Sequence, residues 1–370
     1  MSPGVSPHDL RTRTDDGVRL AADYYRPTDM EVLGTVLIRT PYGRTQYAGQ
    51  AWAWVRAGYD VVVQDVRGRY GSEGKWQPYA SEGWDGAVTA EQLAANDLFR
   101  GPLVLAGASY DAHCAVEAAR VLEVERTPQT TADLASSSVP LAVVAMVPAL
   151  GLFETARHPD GTPRLLDRIG WWHRHGFGRT SEEPLETAEL QYRATQAEDR
   201  GMGWVLRGLI KDAEYGPGSS DKWRQLWDAP PLDLRTLYSK LNTPLLMISG
   251  QRDFFVAEVL ALARVWGSAA PGTVVQTLWG PWGHGLSMDL DAETAAALRE
   301  QGGLMARIKD FLTLVAGRCP TVAADSLEDQ LAADAVAANA VRPPALHWQH
   351  DGLTGTWGWT PTTTDSLQHQ

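Results

Sequence analysis

With 370 residues, the chain is long enough to bury one large domain with an insertion, or two domains. Its formal net charge of −12, with no stripe of lysine or arginine, argues against phosphate backbones and anionic surfaces, so neither nucleic acid nor a membrane is expected among its partners. Two cysteines, Cys114 and Cys319, are too few for a disulfide framework or a cysteine zinc site; no charged-then-apolar leader opens the sequence, no apolar run approaches the roughly 20 residues that cross a bilayer, and the expected compartment is the cytoplasm.

Short apolar runs alternate with helical patterns through the first half, the signature of a mostly parallel sheet covered by helices, and hence of an α/β fold. Strands are expected over residues 18–25 and 35–39, then over 60–66 and 102–106, where valine and leucine dominate, with a helix over 82–98 between the last two. A further buried strand over 141–147 closes this half. From 148 to 231 the helix-compatible stretches are broken by proline, glycine and charge, which reads as an inserted helical cap. The strand pattern resumes over 243–250 and 273–279, separated by a helix over 254–266 and followed by an amphipathic helix over 304–316. The domain organisation is therefore a core of 1–147 and 232–318, a cap of 148–231, and a tail of 319–370 in which a strand starts near Val341 with nothing after it to pair with.

The most informative stretch is Leu103-Val-Leu-Ala-Gly107-Ala-Ser109 running directly into the alanine-rich helical pattern that begins at Tyr110. A strand, a glycine, a serine two positions on and an immediate helix make a nucleophile elbow, with Ala112 where a second glycine is usual. A serine hydroxyl is nearly inert at neutral pH and needs a base held in the right tautomer by a carboxylate. Asp253 follows one expected strand and His284 follows the next, and the order Ser, Asp, His is that of the α/β-hydrolase topology. Singly, Ser109 reads equally well as a turn residue, Asp253 as a helix N-cap and His284 as a loop residue; their conjunction at three strand ends favours catalysis. The backbone N–H of Tyr110 is the expected first oxyanion donor. Tyr42, in Arg39-Thr-Pro-Tyr42, offers a phenol as a second, although spacing alone favours a Pro-Tyr turn with the ring packed on the surface.

Arg39-Thr-Pro-Tyr42, Asp65-Val-Arg-Gly-Arg-Tyr-Gly-Ser-Glu-Gly74, Gly107-Ala-Ser-Tyr110, Arg252-Asp-Phe-Phe255 and Gly280-Pro-Trp-Gly-His284 together resemble the cocaine esterase and Xaa-Pro dipeptidyl-peptidase family of serine hydrolases. The resemblance implies an α/β-hydrolase fold, a triad of Ser109, Asp253 and His284, an oxyanion hole of Tyr42 with the Tyr110 N–H, and an acyl pocket lined by Phe255. Asp65 and Arg67 belong to the same signature, but an acid and an arginine in a glycine-rich loop are read as braces. Members of this family continue into a jelly-roll domain beside the active site; residues 341–359 resemble the linker and first strand of that domain, which leaves the site open or covered by a second copy of the chain, so a homo-oligomer enters the expected partners.

The tryptophans are concentrated in the cap, at Trp171, Trp172, Trp204, Trp223 and Trp227. Packing accounts for most of them, and at least one of Trp171 and Trp172 is expected to face the substrate. His113, His158, His173 and His175 have no metal-ligand spacing, so no metal and no organic cofactor are expected. The expected function is a serine esterase or amidase acting on a small-molecule ester or amide through an acyl-enzyme. The alternatives are acyl transfer from the same intermediate, or non-hydrolytic chemistry on the same fold.

Overall fold

The computed structural model describes residues 7–28, 30–95, 100–126, 140–317, 345–352 and 356–363. Its strands are β1 (His8–Arg13), β2 (Arg19–Tyr25), β3 (Gly34–Thr40), β4 (Tyr59–Asp65), β5 (Leu103–Ala108), β6 (Pro140–Met146), β7 (Leu245–Arg252), β8 (Val275–Gly283), β9 (Ala345–Asp351) and β10 (Thr356–Thr362). They form one sheet in the order β1-β2-β4-β3-β5-β6-β7-β8-β9-β10. Neighbours from β4 to β9 run parallel, and the pairs β1/β2, β2/β4 and β9/β10 run antiparallel.

The central strands are buried on both faces because their residues are apolar on both. Val36 and Ile38 of β3 and Val61 and Val63 of β4 join the apolar cluster on one face, while Leu37 and Val62 join the cluster on the other. Each face then needs its own helical layer. α1 (Ala48–Arg56) and the helix Gly303–Ala316 cover the first through Trp54, Val55, Phe311 and Leu312. The second is covered by α2 (Glu82–Ala94), α3 (Tyr110–Arg120) and the helix Val256–Val265, through Ala87, Leu93, Val116 and Leu262. After β4 the chain passes through α2 and returns on the far side of β3 to form β5, so the order reverses between β3 and β5. Open parallel sheets bind ligands at the carboxyl ends of their strands at such a reversal.

Between β6 and β7 the chain forms short helices, among them Leu152–Ala156, Leu165–Trp171, Thr187–Arg200 and Ser219–Asp228. They enclose an apolar cluster of their own around Trp172, Trp223 and Trp227.

Three sequence expectations need correction. β1 was not expected, because His8-Asp-Leu-Arg-Thr-Arg13 carries too much charge to read as a strand; it is an edge strand whose exposed charges guard an open edge. The helix expected over 82–98 ends at Ala94, and residues 96–99 lie outside the described ones. The strand expected near Val341 does find partners: β9 lies parallel to β8 and antiparallel to β10, with Trp348 buried against the core beside Trp282. Residues 319–344, including Cys319 and the start of the resembling jelly-roll segment, lie outside the described residues.

α3 begins with a buried titratable group. Asp111 accepts a hydrogen bond from the Tyr47 hydroxyl, and its other oxygen is buried with no hydrogen-bond partner among the described residues. Burial pushes its carboxyl up to about 8, against the opposing effect of the Tyr47 and Thr40 hydroxyls. At neutral pH the folded chain therefore holds a proton there that the unfolded chain releases near pH ~4. The stability this group contributes is complete below that pH and is lost as the pH rises toward 8.

Two stability predictions follow from this packing. Trp348→Ala should cost about 3–5 kcal/mol in denaturant unfolding, because β9 completes the core over β8, whereas Met288→Ala on the surface should stay within about 0.5 kcal/mol. Asp111→Asn, which keeps the neutral shape at every pH, should gain in Tm relative to the parent as the pH is raised from about 5 to 8; a difference that does not change with pH would contradict the assignment.

Candidate active site

Four strand ends supply the site. Tyr42 lies two residues past β3, Ser109 one past β5, Asp253 one past β7 and His284 one past β8. The elbow is held by close packing. Ser109 adopts φ 56 and ψ −121, a left-handed φ that a serine keeps only when its surroundings enforce it, at a cost of about 1–3 kcal/mol. Its N–H donates to the Met146 carbonyl at 2.9 Å and its carbonyl accepts from Ala149 at 3.1 Å. Gly107 is required, since a Cβ there would sit 2.3 Å from the backbone carbon of Asp111. Ala112 is fully buried at the same junction.

His284 Nε2 lies 2.8 Å from Ser109 Oγ, and His284 Nδ1 lies 2.9 Å from Asp253 Oδ1. Asp253 is buried and accepts two further hydrogen bonds, from Ser249 Oγ at 2.8 Å and from the Phe255 N–H at 3.2 Å. These bonds satisfy a carboxylate, and a carboxylate at Nδ1 assigns the ring proton to that nitrogen and the lone pair to Nε2. The bond to Phe255 is a local turn contact and not the helix N-cap that sequence alone allowed for Asp253, since the helix Val256–Val265 starts after Phe255 and has no side-chain cap. The histidine loop is tied down by Asp289, whose Oδ2 accepts from the N–H groups of Gly283 at 3.1 Å and Gly285 at 2.9 Å. Phe254 stacks on the imidazole at 4.3 Å, and Phe255 meets it edge-on at 5.4 Å.

On the other side of Ser109 stands Tyr42, partly buried, with its hydroxyl beside the serine hydroxyl. Burial pushes this phenol above its ordinary value, the nearby Asp111 adds to the rise, and hydrogen bonding to Trp171 and Ser109 opposes it. Trp171 Nε1 donates to the Tyr42 oxygen at 3.1 Å. An indole N–H only donates, so Tyr42 acts as acceptor toward the cap and keeps its own proton for the Ser109 side. The Pro-Tyr turn is braced from below by Arg69, which is fully buried and donates to the Pro41 carbonyl at 2.8 Å and the Thr180 carbonyl at 3.1 Å. Tyr110 is the first residue of α3, and its N–H falls among the helix-start donors that have no acceptor within the helix.

The remaining sequence candidates separate. Trp171 reaches the site, stacking on Tyr110 at 5.9 Å as well as bonding to Tyr42. Trp172 does not: it is 2% exposed and packs against Phe177 and Trp223 inside the cap, so its expected substrate-binding position is corrected. Consecutive residues at the end of a helix point about 100° apart, and only one of this pair can face the sheet. Asp65 accepts from the Arg44 side chain at 2.6 Å and from the N–H groups of Arg44 and Gly71 at 2.7 and 3.0 Å, and Arg67 pairs with Asp16 and Asp85. His175 packs edge-on against Tyr42 at 4.8 Å; burial lowers its pKa to about 3, with Arg174 and Arg69 adding to the effect, so it is a neutral neighbour. Among the described residues no group of three or more His, Cys, Asp or Glu side chains could hold a metal ion, and no helix is long and apolar enough to cross a membrane.

Sequence reasoning missed Ser249, Asp289, Arg69 and the Trp171 bond to Tyr42. Ser249 left one trace, as a hydroxyl in the otherwise apolar run Leu245-Leu-Met-Ile248 and four residues before the acid. The others become visible only when segments far apart in the chain meet.

Comparison with known proteins gives the family and the fold. A model of the X-Pro dipeptidyl-peptidase (S15 family) matches residues 16–286. The cocaine esterase of Rhodococcus sp. (strain MB1 Bresler) is 26% identical over 299 residues, which are 73% of this chain and 47% of that protein, so the chain spans about half the length of the curated relative it matches. Among solved structures, an aminopeptidase from the marine sediment archaeon Thaumarchaeota archaeon superposes with a TM-score of 0.60 at 18% identity, over 97% of this chain and 60% of that one. An alpha-amino acid ester hydrolase gives 0.59 at 16% identity, over 95% and 57%. At such identities the likeness concerns the fold, which is that of the α/β-hydrolases. With a family model matching residues 16–286, well over half of its length, the chain belongs to the X-Pro dipeptidyl-peptidase (S15) family.

Proposed function

We propose that the chain is a serine hydrolase that cleaves an ester or amide bond of a small molecule through an acyl-enzyme. The observation that carries this reading is the continuous hydrogen-bonded line from Ser109 through His284 to Asp253, at 2.8 and 2.9 Å. Ser109 Oγ attacks the substrate carbonyl while its proton passes to His284 Nε2, and Asp253 stabilises the imidazolium that forms. The carbonyl oxygen, now an anion, takes hydrogen bonds from the Tyr42 hydroxyl and the Tyr110 N–H. The tetrahedral carbon then expels the alcohol or amine, which leaves with the proton from His284. Water enters, gives a proton to His284 and attacks the acyl carbon, and the acid departs as Ser109 recovers its hydrogen.

Tyr42 is suited to its part because Trp171 already occupies its acceptor side. A phenol so held has its O–H aimed before substrate arrives and loses little on reorganisation when negative charge appears. The raised pKa keeps it protonated, and so a donor.

The primary test is labelling with a fluorophosphonate followed by peptide mass analysis. The adduct should fall on Ser109, and Ser109→Ala should lose both the label and about 10^4-fold or more of esterase activity. Label on another residue, or activity that survives in that variant, would contradict the proposal. Asp253→Asn should lower kcat by about 10^4-fold, through the wrong tautomer of His284. Tyr42→Phe should lower it by about 10^2–10^3-fold. Trp171→Phe, which keeps an aromatic ring, though a smaller one, and removes the N–H, should lower kcat by about tenfold, one hydrogen bond's worth, with KM little changed.

A further inference from the structure

The cap brings two arginines to the aromatic wall of the site. Arg164 stands at the start of the helix Leu165–Trp171, and Arg168 lies one turn on, four residues apart on the same face. Both are nearly out of water, at 5% and 4% exposure. The Arg164 guanidinium lies 5.3 Å from the Phe255 ring and 6.0 Å from Phe254, and that of Arg168 lies 5.8 Å from Phe255 and 5.7 Å from Trp171. These are the rings that touch His284 and Tyr42.

Two like charges one turn apart and withdrawn from solvent are costly unless anions compensate them. The compensation present is thin. Arg168 uses Nε and Nη2 on a single oxygen of Asp167, at 2.9 and 2.5 Å, and that carboxylate is 40% exposed and screened by solvent. Arg164 gives Nε to the Arg157 carbonyl at 2.7 Å, but its Nη2 is buried with no hydrogen-bond partner among the described residues, and the nearest carboxylate oxygen, of Glu258, is 3.9 Å away. Burial moreover pushes the Glu258 carboxyl toward its neutral form, which weakens it as a counter-ion. Contact with an aromatic ring engages the face of a guanidinium and leaves its edge to hydrogen bonds; with the Nε and Nη2 of Arg168 held by Asp167 and the Nε of Arg164 by the Arg157 carbonyl, it is the Arg164 Nη2 that stands ready for a carboxylate oxygen. The charge of Arg168 is also felt at the Tyr42 phenol, which places it within the electrostatic reach of the reacting centre.

From this arrangement we propose that the substrate carries a carboxylate, received between Arg168 and Arg164 while the scissile carbonyl lies at Ser109. The proposal rests on the hydrolase reading above and adds the class of substrate to it: an ester or amide of a dicarboxylic acid whose second carboxyl is free. The anion adds to the thin counter-charge of Asp167 and Glu258 and takes the Arg164 Nη2 donor that is otherwise unmatched.

The test compares mono-4-nitrophenyl adipate with 4-nitrophenyl hexanoate, which have equal acyl length and differ in the terminal charge. The ratio of their kcat/KM values should favour the adipate by about 10- to 100-fold in the parent protein, as for one charge-assisted hydrogen-bonded pair. That ratio should fall to about one in Arg168→Gln and to an intermediate value in Arg168→Lys, which keeps the charge and loses the fork. Being a ratio within each protein, it is unaffected by any loss of folded material. Equal turnover of the two esters by the parent protein, or an unchanged ratio in Arg168→Gln, would overturn the proposal and leave the hydrolase reading standing. If neither ester is turned over and Ser109 takes no fluorophosphonate, the hydrolase reading fails. The arginine site is then judged by calorimetry with free adipate on Ser109→Ala protein, where binding weakened about tenfold or more by Arg168→Gln supports it and an absence of binding overturns it.

Discussion

The site depends on register in the parallel sheet. Ala108 at the end of β5 is paired with Met146 of β6, Met146 with Ile248 of β7, and Ile248 with Leu278 of β8, so one row crosses the sheet just below Ser109. Beyond that row β7 and β8 run on for several residues, with an irregularity between Gly250 and Arg252, and this extra length lifts Asp253 and His284 to the height of Ser109. A slip of one residue in any of these pairs would turn each apolar side chain to the wrong face, so the same burial that holds the fold together also fixes where the three side chains meet. The strain at Ser109 is then set against the packing of whole strands and helices, and the elbow persists because α3 lies too close to Gly107 for any other path.

The cap completes what the sheet begins. Tyr42 comes from the core, but the atom that orients its hydroxyl, Trp171 Nε1, comes from the cap, and the loop beneath it is held by Arg69 bonded to carbonyls at both Pro41 and Thr180. Core and cap are thus joined by hydrogen bonds at the position where negative charge would develop. On the proposed mechanism, a cap displaced from the sheet edge would release the Tyr42 phenol from Trp171.

Much of this was legible in the sequence because local chemistry and long-range packing agree along the core strands. Valine-rich runs that must be buried on both sides read as parallel strands, and a glycine two residues before a serine at a strand end reads as an elbow. The misses have physical causes. β1 is an edge, where charge is favoured and an apolar pattern is not needed. β9 was left without partners because its neighbour in the sheet, β8, is far away in sequence and the intervening stretch carries no strand pattern. Trp171 and Trp172 are identical in type and adjacent in the chain, and only the helix to which they belong decides which one meets Tyr42 and which enters the cap core. Arg164 and Arg168 are not singled out in the sequence; their burial against Phe255 becomes apparent only once the cap is laid over the sheet.

The central claim is that three strand ends aim an activated serine at a carbonyl whose oxygen is received by Tyr42 and the Tyr110 amide. The most direct measurement is the crystal structure of a phosphonate adduct. The account predicts a phosphorus bonded to Ser109 Oγ, with one phosphoryl oxygen within hydrogen-bond distance of both the Tyr42 hydroxyl and the Tyr110 N–H and with His284 Nε2 facing the departing side. An adduct whose oxygens all turn away from Tyr42, or a phosphorus bound to any other side chain, would contradict it.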